Sequence, residues 1–293
     1  MHKVLAFGEI LWDIIEGKPH LGGAPLNFAA HVKQCGLQSG IVSALGEDDF
    51  GNKALTAVEK LGIDTSFILQ SEKPTGTVTV SLRSGQPDYD IIKDVAYDYI
   101  DVHELDHENI DTYDVFYFGT LAQRSEQSKE ALFSILNGHS FSEIFYDVNL
   151  RKECFTGSNI AASLKYCSIL KVNDEEVDVL APMLYNHEMS FLEFCETIVN
   201  QNSNIKTIII TAGGDGCYIY TNGNLSLVSS EPITVADTVG AGDSFSAGFV
   251  TSYLKTGDAL KSAEIANKIG GFVASQHGAI PAYSAEILQA LGE

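Results

Sequence analysis

The sequence has few basic residues. Among its 293 residues, 18 lysines and arginines stand against 39 aspartates and glutamates, which gives a formal net charge of −21. This charge argues against a nucleic-acid partner and against an anionic membrane surface, since both require a basic patch. A nucleotide ligand is compatible with it, because a small phosphate site needs only backbone donors and one or two basic side chains.

Long apolar runs and paired cysteines are also missing. The apolar runs are short, as at Ile208 to Ile210, so no transmembrane helix is predicted, and the early acidic Glu9 argues against a signal peptide. The five cysteines are scattered and form no CxxC pair, which is typical of reduced thiols in a cytosol. With 45% hydrophobic and 19% charged residues, the composition predicts a soluble globular protein of the cytoplasm.

Short apolar runs alternate along the chain with amphipathic segments of helical period. The runs that predict strands are Val4–Glu9, Ile41–Leu45, Asp114–Phe118, Ile144–Asn149, Ser168–Val172 and Thr207–Thr211. The segments that predict helices include Pro25–Gln34, Phe50–Lys60, Glu126–Leu136 and Leu192–Asn200. This alternation predicts an α/β fold with a buried, mostly parallel sheet and helices on both faces.

One region breaks the alternation. Residues 75–100 contain the alternating Thr77–Val80 and the Tyr89–Ile92 run, with a turn expected at Ser84–Pro87. Residues 11–21 are a candidate for a further strand. We therefore predict a small β lid, formed by about residues 11–21 and 75–100, on a single domain that spans residues 1–293, since no long linker or repeat divides the chain.

The stretch GGAPLNFAAHVKQCG, residues 22–36, combines a glycine pair with a helix pattern. Pro25 suits the first turn of a helix and Gly36 suits its end. The glycine pair permits close approach of a ligand, and Asn27 can both donate to and accept from a polyhydroxy ligand. From the spacing alone, a capped helix after a tight turn explains the stretch at least as well.

The stretch DTVGAGDSFSAGFV, residues 237–250, places glycines before another helix, whose apolar stripe includes Phe245 and Phe249. Unpaired N–H groups and the helix dipole attract negative charge at such a start, yet Asp243 lies there. From the residues alone, Asp243 is either a favourable first-turn acid or a functional carboxylate. The phosphate loop GxxxxGK[ST] and the dinucleotide fingerprint GxGxxG are both absent, which disfavours a dinucleotide-dependent oxidoreductase.

Together the two stretches resemble the signatures of the ribokinase-like sugar kinases, the PfkB carbohydrate kinase family. The match to the second signature is nearly letter for letter, and the resemblance covers essentially the full chain. It implies a three-layer ribokinase-like sandwich with a small β lid, and transfer of the γ-phosphoryl group of ATP to a sugar hydroxyl. It also implies an anion hole at Gly240, Ala241 and Gly242, followed by Asp243 as the catalytic base.

The resemblance further implies a sugar site near the lid. The positions it assigns to the sugar are Asp13, Gly23, Asn27, Tyr89, Tyr97 and Arg151. The YDVNLR run and the lid segment are similar to those of fructokinases, which implies fructose, with ribose, 2-keto-3-deoxygluconate or a nucleoside as alternatives. By themselves, Asp13 could equally be a loop acid and Arg151 a member of a surface ion pair.

Bound ATP and Mg²⁺ are implied as well. The positions that the resemblance assigns to the nucleotide are Asn173, Thr211, Gly213, Gly216, Asn267 and Gly278. The run NDEE resembles the family's NxxE motif, in which Glu176 would order water around Mg²⁺. Without the resemblance, the same run predicts a helix start capped by Asn173.

Two further expectations concern regulation and assembly. Stimulation by K⁺ through carbonyl groups of the loop before Gly240 is one, and a homodimer through the exposed lid sheet is the other. A non-catalytic sugar- or nucleotide-binding sensor on the same fold is the alternative class of function. The intact Asp243 argues against a sensor.

Overall fold

Thirteen strands and ten helices are assigned in the computed structural model, which describes residues 2–83 and 86–292 and omits the side chains of residues 80–89 and 104. The strands are β1 (Lys3–Phe7), β2 (Leu11–Ile15), β3 (Lys18–Gly22), β4 (Gln38–Gly46), β5 (Ile68–Ser71), β6 (Gly76–Arg83), β7 (Gln86–Ile91), β8 (Val115–Phe118), β9 (Glu143–Asp147), β10 (Ile169–Asn173), β11 (Thr207–Thr211), β12 (Cys217–Thr221) and β13 (Asn224–Val228). The helices are α1 (Ala24–Gln34), α2 (Asp49–Lys60), α3 (His107–Ile110), α4 (Glu126–Gly138), α5 (Gly157–Leu164), α6 (Asp174–Tyr185), α7 (Phe191–Gln201), α8 (Ala241–Thr256), α9 (Ala259–Ala274) and α10 (Ala285–Ala290).

A nine-stranded sheet crosses the molecule in the order β13-β12-β11-β10-β9-β8-β1-β4-β5. The strands from β11 to β5 are parallel, and only β12 and β13 at one edge run antiparallel to their neighbours. The carboxyl ends of the parallel strands therefore share one edge of the sheet, which is where open α/β sheets bind ligands.

Helices cover both faces of this sheet. Because successive side chains of a strand point to opposite faces, Phe116 joins one apolar core while its neighbour Tyr117 joins the other. Helices α4, α5, α6 and α7 pack on the Phe116 face, and α1, α2, α8 and α9 pack on the Tyr117 face. The ring of Phe28 from α1 stacks on that of Tyr117 with centroids 3.8 Å apart. This arrangement confirms the predicted three-layer α/β fold.

A second, four-stranded sheet has the order β3-β2-β6-β7 and contains both segments predicted for the lid. The last strand of this sheet, β7, ends at Ile91, whereas the segment predicted for the lid extended to about residue 100. Residues Ala96–Tyr99 form a 3₁₀ turn, and Ala96 and Ile100 are buried in the core of the main sheet. Residues 84–85 of the expected Ser84–Pro87 turn lie outside the described residues.

A buried ion pair holds the base of this second sheet to the main body. The Arg124 guanidinium donates to both carboxylate oxygens of Asp98, at 2.8 and 2.9 Å, and to the carbonyl oxygen of Ile92 at 2.6 Å. The same guanidinium lies over the ring of Tyr97, 5.0 Å from its centroid. Within residues 2–83 and 86–292, no helix is long and apolar enough to cross a membrane.

Candidate active site

Helix α8 begins at the carboxyl edge of the main sheet with a glycine in the left-handed conformation. Gly240 has φ +79°, and a Cβ there would clash with the backbone of Ala279. The Ala241 amide donates to the Thr238 carbonyl oxygen at 3.2 Å. The amides of Gly242 and Asp243 belong to the first helical turn, where N–H groups have no carbonyl one turn earlier to bond. The predicted anion hole therefore depends mainly on these two amides.

The two sequence motifs meet at this helix start. Asn27 Nδ2 of α1 donates to Asp243 Oδ2 at 2.8 Å, and Asn27 is 5% exposed. Asn27 Oδ1 is buried and has no hydrogen-bond partner among the described residues. Burial raises the pKa of Asp243 to about 6, against the opposing effect of the Asn27 hydrogen bond. The pair thus offers a carboxylate and an unused amide oxygen at one point.

A buried ion pair that the sequence did not predict lies next to α8. Lys171 Nζ donates to Asp147 Oδ1 and Oδ2 at 3.0 and 2.8 Å, and Asp147 Oδ2 also accepts from Ser246 Oγ and from the Tyr117 hydroxyl. Asp147 and Lys171 are register partners on the parallel strands β9 and β10. The one signal in the sequence is a lysine inside the otherwise apolar run ILKV.

Arg151 lies close enough to three carboxylates for its charge to act on them. Arg151 lowers the pKa values of Glu9, Asp13 and Asp243, while burial raises all three, that of Glu9 to about 7. No ion pair within 4.0 Å joins Arg151 to another described residue. Among the described residues, Arg151 is therefore not part of the surface ion pair that the sequence left open. Glu9, 5% exposed, is a site residue that sequence reasoning missed.

Gly23 is required where the sequence predicted it. Its φ is +117°, and a Cβ would clash with the carbonyl oxygen of Glu9. The Cβ position of Gly22, in turn, would lie 2.5 Å from Asp13 Oδ2. The glycine pair therefore lets the start of α1 approach the Asp13 side chain of β2 and the Glu9 backbone.

Of the two lid tyrosines predicted for the sugar site, Tyr97 and Tyr89, the structure describes the side chain of Tyr97. Tyr97 is completely buried at the base of the second sheet, and its hydroxyl has no hydrogen-bond partner among the described residues. Burial raises its pKa well above the ordinary value, and Glu9 acts in the same direction. Tyr97 therefore lies in the lid core beside the site rather than on an open lid surface. The side chain of Tyr89 lies outside the described residues.

Asn173 and Glu176 form a reciprocal cap at the start of α6. Asn173 Oδ1 accepts from the Glu176 amide at 2.7 Å, and Glu176 Oε2 accepts from the Asn173 amide at 2.8 Å. Glu176 Oε1 accepts from the Leu150 amide at 2.6 Å. Each carboxylate oxygen of Glu176 already accepts one hydrogen bond, which fixes the group at the start of α6. A carboxylate anchored in this way would suit a Mg²⁺ ion held through water. No cluster of three acidic, His or Cys residues able to hold a metal occurs within residues 2–83 and 86–292.

The other predicted nucleotide residues lie at neighbouring strand ends and at the loop before α8. Thr211 is the register partner of Asn173, and a 3₁₀ turn that begins at Gly213 follows it. The Gly278 amide donates to Asp237 Oδ2 at 3.1 Å, which places Gly278 beside the glycine loop. Gly216 and Asn267 have structural contacts instead: a Cβ on Gly216 would clash with Val228 O, and Asn267 Nδ2 donates to that same oxygen at 2.9 Å.

Comparison with known proteins gives one family across the chain. The family model described as pfkB family carbohydrate kinase matches residues 4–286. The sugar kinase PH1459 of Pyrococcus horikoshii is 29% identical, over 94% of this chain and 91% of its own length. Its crystal structure in complex with ATP superposes with a TM-score of 0.82 at 26% identity and covers 94% of both chains.

Fructokinases are also among the similar proteins. Fructokinase-2 of Oryza sativa subsp. japonica is 25% identical over 95% of this chain and 90% of its own length. A fructokinase of Xylella fastidiosa, solved with bound ATP, has a TM-score of 0.88, covers 99% of this chain and 97% of its own, and shares 20% identity. At that identity the last comparison supports the fold alone.

Proposed function

Because the chain belongs to the pfkB family of carbohydrate kinases, we propose that it transfers the γ-phosphoryl group of ATP to a hydroxyl of an unphosphorylated sugar, with fructose as the preferred acceptor. The observation that carries the proposal is the 2.8 Å hydrogen bond from Asn27 to Asp243 at the start of α8. This hydrogen bond holds the Asn27 amide, which suits a sugar hydroxyl, against the Asp243 carboxylate, which lies beside the free amides of the helix start.

Asp243 acts as the base in this proposal. Asn27 donates to Asp243 Oδ2, which leaves Oδ1 to accept the proton of the attacking hydroxyl. A pKa of about 6 keeps the carboxylate ionised at neutral pH and makes it a stronger base than an ordinary aspartate. Asn27 Oδ1, which is buried without a partner among the described residues, would accept from a second sugar hydroxyl and so orient the first.

The amides of Gly242 and Asp243 face the charge that develops on the transferring group. Phosphoryl transfer depends on positioning and on charge stabilisation more than on covalent help from the protein. Fixed amides at a helix start supply such stabilisation without reorganisation. Bound Mg²⁺ would neutralise phosphate charge. The carboxylate of Glu176, already anchored by backbone amides, would hold one of the waters of the ion.

The charges around the sugar position favour a neutral acceptor. Arg151 is the cation whose charge acts on all three carboxylates, Glu9, Asp13 and Asp243, and they outnumber it, so a phosphosugar would meet more negative than positive charge. The same argument ranks 2-keto-3-deoxygluconate, which carries a carboxylate, below fructose and ribose. The similarity to fructokinases, at about 25% identity, supports fructose. The lid, by closing over the sugar, would exclude water and limit hydrolysis of ATP.

A coupled assay of ADP release tests the proposal. The purified protein is given MgATP with fructose, ribose, 2-keto-3-deoxygluconate or adenosine, each with and without K⁺. We expect turnover with fructose to exceed that with the other three, and kinase activity with a different acceptor would overturn the choice of sugar alone. Sugar binding by calorimetry without ADP release from any acceptor would instead favour the sensor.

A further inference from the structure

Lys171 is a buried cation next to the glycine loop that the proposed mechanism does not use. It lies in β10, is 7% exposed, and its Nζ donates to both oxygens of Asp147. An ammonium group has three N–H donors. Two are accounted for by Asp147, so one remains for another acceptor.

The position of Nζ shows where that third donor can act. Nζ lies 3.7 Å from the position that a Cβ atom on residue 242 would occupy. Gly242 has no side chain, so the space between the ammonium and the first turn of α8 stays open. An anion bound to the free amides of that turn would lie within reach of Nζ.

The local charges require a cation there. Burial lowers the pKa of Lys171, but the charge and hydrogen bonds of Asp147 raise it, and Glu176 and Asp243 act in the same direction. On balance the pKa is raised and the ammonium stays charged. Without Lys171, a phosphoryl group near α8 would face three carboxylates, those of Asp147, Glu176 and Asp243, without this buried cation to offset them. Asp147 is itself fully engaged by Lys171, Ser246 and Tyr117.

We propose that Lys171 is a catalytic residue that donates its third N–H to the transferring phosphoryl group, with Asp147 as the residue that positions it. This inference rests on the proposed kinase function. In the step itself, the bond from the γ-phosphorus to the bridging oxygen of ADP breaks and the bond to the sugar oxygen forms. The hydroxyl proton passes to Asp243, and Lys171 keeps all of its protons.

The alternative is that Lys171 only neutralises the buried Asp147. The single variant Lys171→Met cannot separate the two roles, because it leaves a buried carboxylate unpaired and could fail to fold. The double variant Asp147→Asn with Lys171→Met removes both charges together. If neutralisation were the only role, this neutral pair would restore activity, since the amide oxygen introduced at position 147 can still accept from Ser246 and Tyr117.

The test compares the wild type with the double variant. Folding is checked by circular dichroism and melting temperature, and turnover by ADP release. Calorimetry gives the affinities for ADP and for an ATP analogue with an imido bridge between the β- and γ-phosphates. We expect a folded double variant whose kcat falls by about 10²–10³-fold. Its affinity for the analogue should fall by about tenfold or more while its affinity for ADP stays unchanged.

Wild-type analogue affinity together with turnover within about threefold of the wild type would overturn the assignment of Lys171. Absence of turnover in the wild type would overturn the proposed function instead, and the selective loss of analogue affinity would still decide the role of Lys171. If the double variant does not fold, the pair Asp147→Asn with Lys171→Gln, whose amides can hydrogen-bond, provides the same comparison.

Discussion

The substitution Asp243→Asn separates the chemistry of the site from its architecture. The side chains have almost the same shape, and the carbonyl oxygen of the new amide can accept the Asn27 hydrogen bond that Asp243 Oδ2 accepts at 2.8 Å. The helix start and the Gly242 amide stay as they are. We therefore expect the variant to fold and to bind sugar, but to lose its base. A positioned base contributes about 10²–10⁴-fold to a rate, so kcat should fall by about 10²-fold or more.

The same variant should lose turnover but gain stability relative to the wild type as the pH rises. Burial raises the pKa of Asp243 from 3.8 to about 6, so ionising this carboxylate is costlier in the folded than in the unfolded chain. The stability that Asp243 contributes is therefore fully present below its unfolded pKa and is lost as the pH rises through about 6. At about 1.4 kcal/mol per pKa unit, the wild type should lose about 2–2.5 kcal/mol of this stability between pH 4 and pH 8. The free energy of unfolding of Asp243→Asn should therefore rise by that amount relative to the wild type over the same interval.

Two assays decide this prediction together. Coupled ADP release gives kcat, and urea unfolding at pH 4 and pH 8 gives the free energy of unfolding of both proteins. Asp49→Asn is the matched control, because Asp49 is an exposed acid in the first turn of α2, and it should change neither quantity. Turnover of Asp243→Asn close to that of the wild type would refute the assignment of the base. A stability difference that does not depend on pH would refute the burial argument.

Three further predictions follow from the site and its support. The value of kcat/KM should rise as the pH increases through about 6, where Asp243 ionises, and a flat profile from pH 5 to 8 would contradict this. Arg124→Met leaves Asp98 buried and unpaired, so urea unfolding should show a loss of about 3–5 kcal/mol; a loss under about 1 kcal/mol would disprove the role of this pair. Gly23→Ala places a Cβ at a backbone φ of +117° and against the carbonyl oxygen of Glu9, so the loop should shift and the sugar KM should rise by about tenfold or more. An unchanged KM in steady-state kinetics would contradict this prediction.

Periodicity and local chemistry were enough to predict six of the nine strands of the main sheet, β1, β4, β8, β9, β10 and β11, and the helices that start at the two motifs. Asn27 and Asp243 are 216 residues apart. The local pattern predicted that each follows a glycine-rich turn that opens a helix, while the family resemblance implied their roles. Their hydrogen bond then follows from the packing of α1 against α8 on one face of the sheet. Sequence reasoning is reliable here because a glycine turn followed by an apolar stripe is a local signal.

The sequence was not enough to predict the role of a residue whose contacts lie elsewhere in the chain. Lys171 interrupts an apolar strand, and only the register of β9 against β10 shows that Asp147 compensates its charge. Residues 92–100 were included in the predicted lid, but Ala96 and Ile100 are buried in the main core, which turns the chain away from the second sheet. A local apolar pattern does not show which of two cores such residues join.

Asp243 lies at the boundary between two differently charged parts of the site. Toward the proposed sugar site, Glu9 and Asp13 make the surroundings of Arg151 acidic, which suits neutral hydroxyls. Toward the proposed phosphoryl site, Lys171 and the free amides of α8 would attract an anion. Negative charge near Asp243 raises its pKa, as Asp147 does already. A phosphoryl group bound beside it would act in the same direction, so Asp243 becomes a stronger base when the phosphoryl donor is in place.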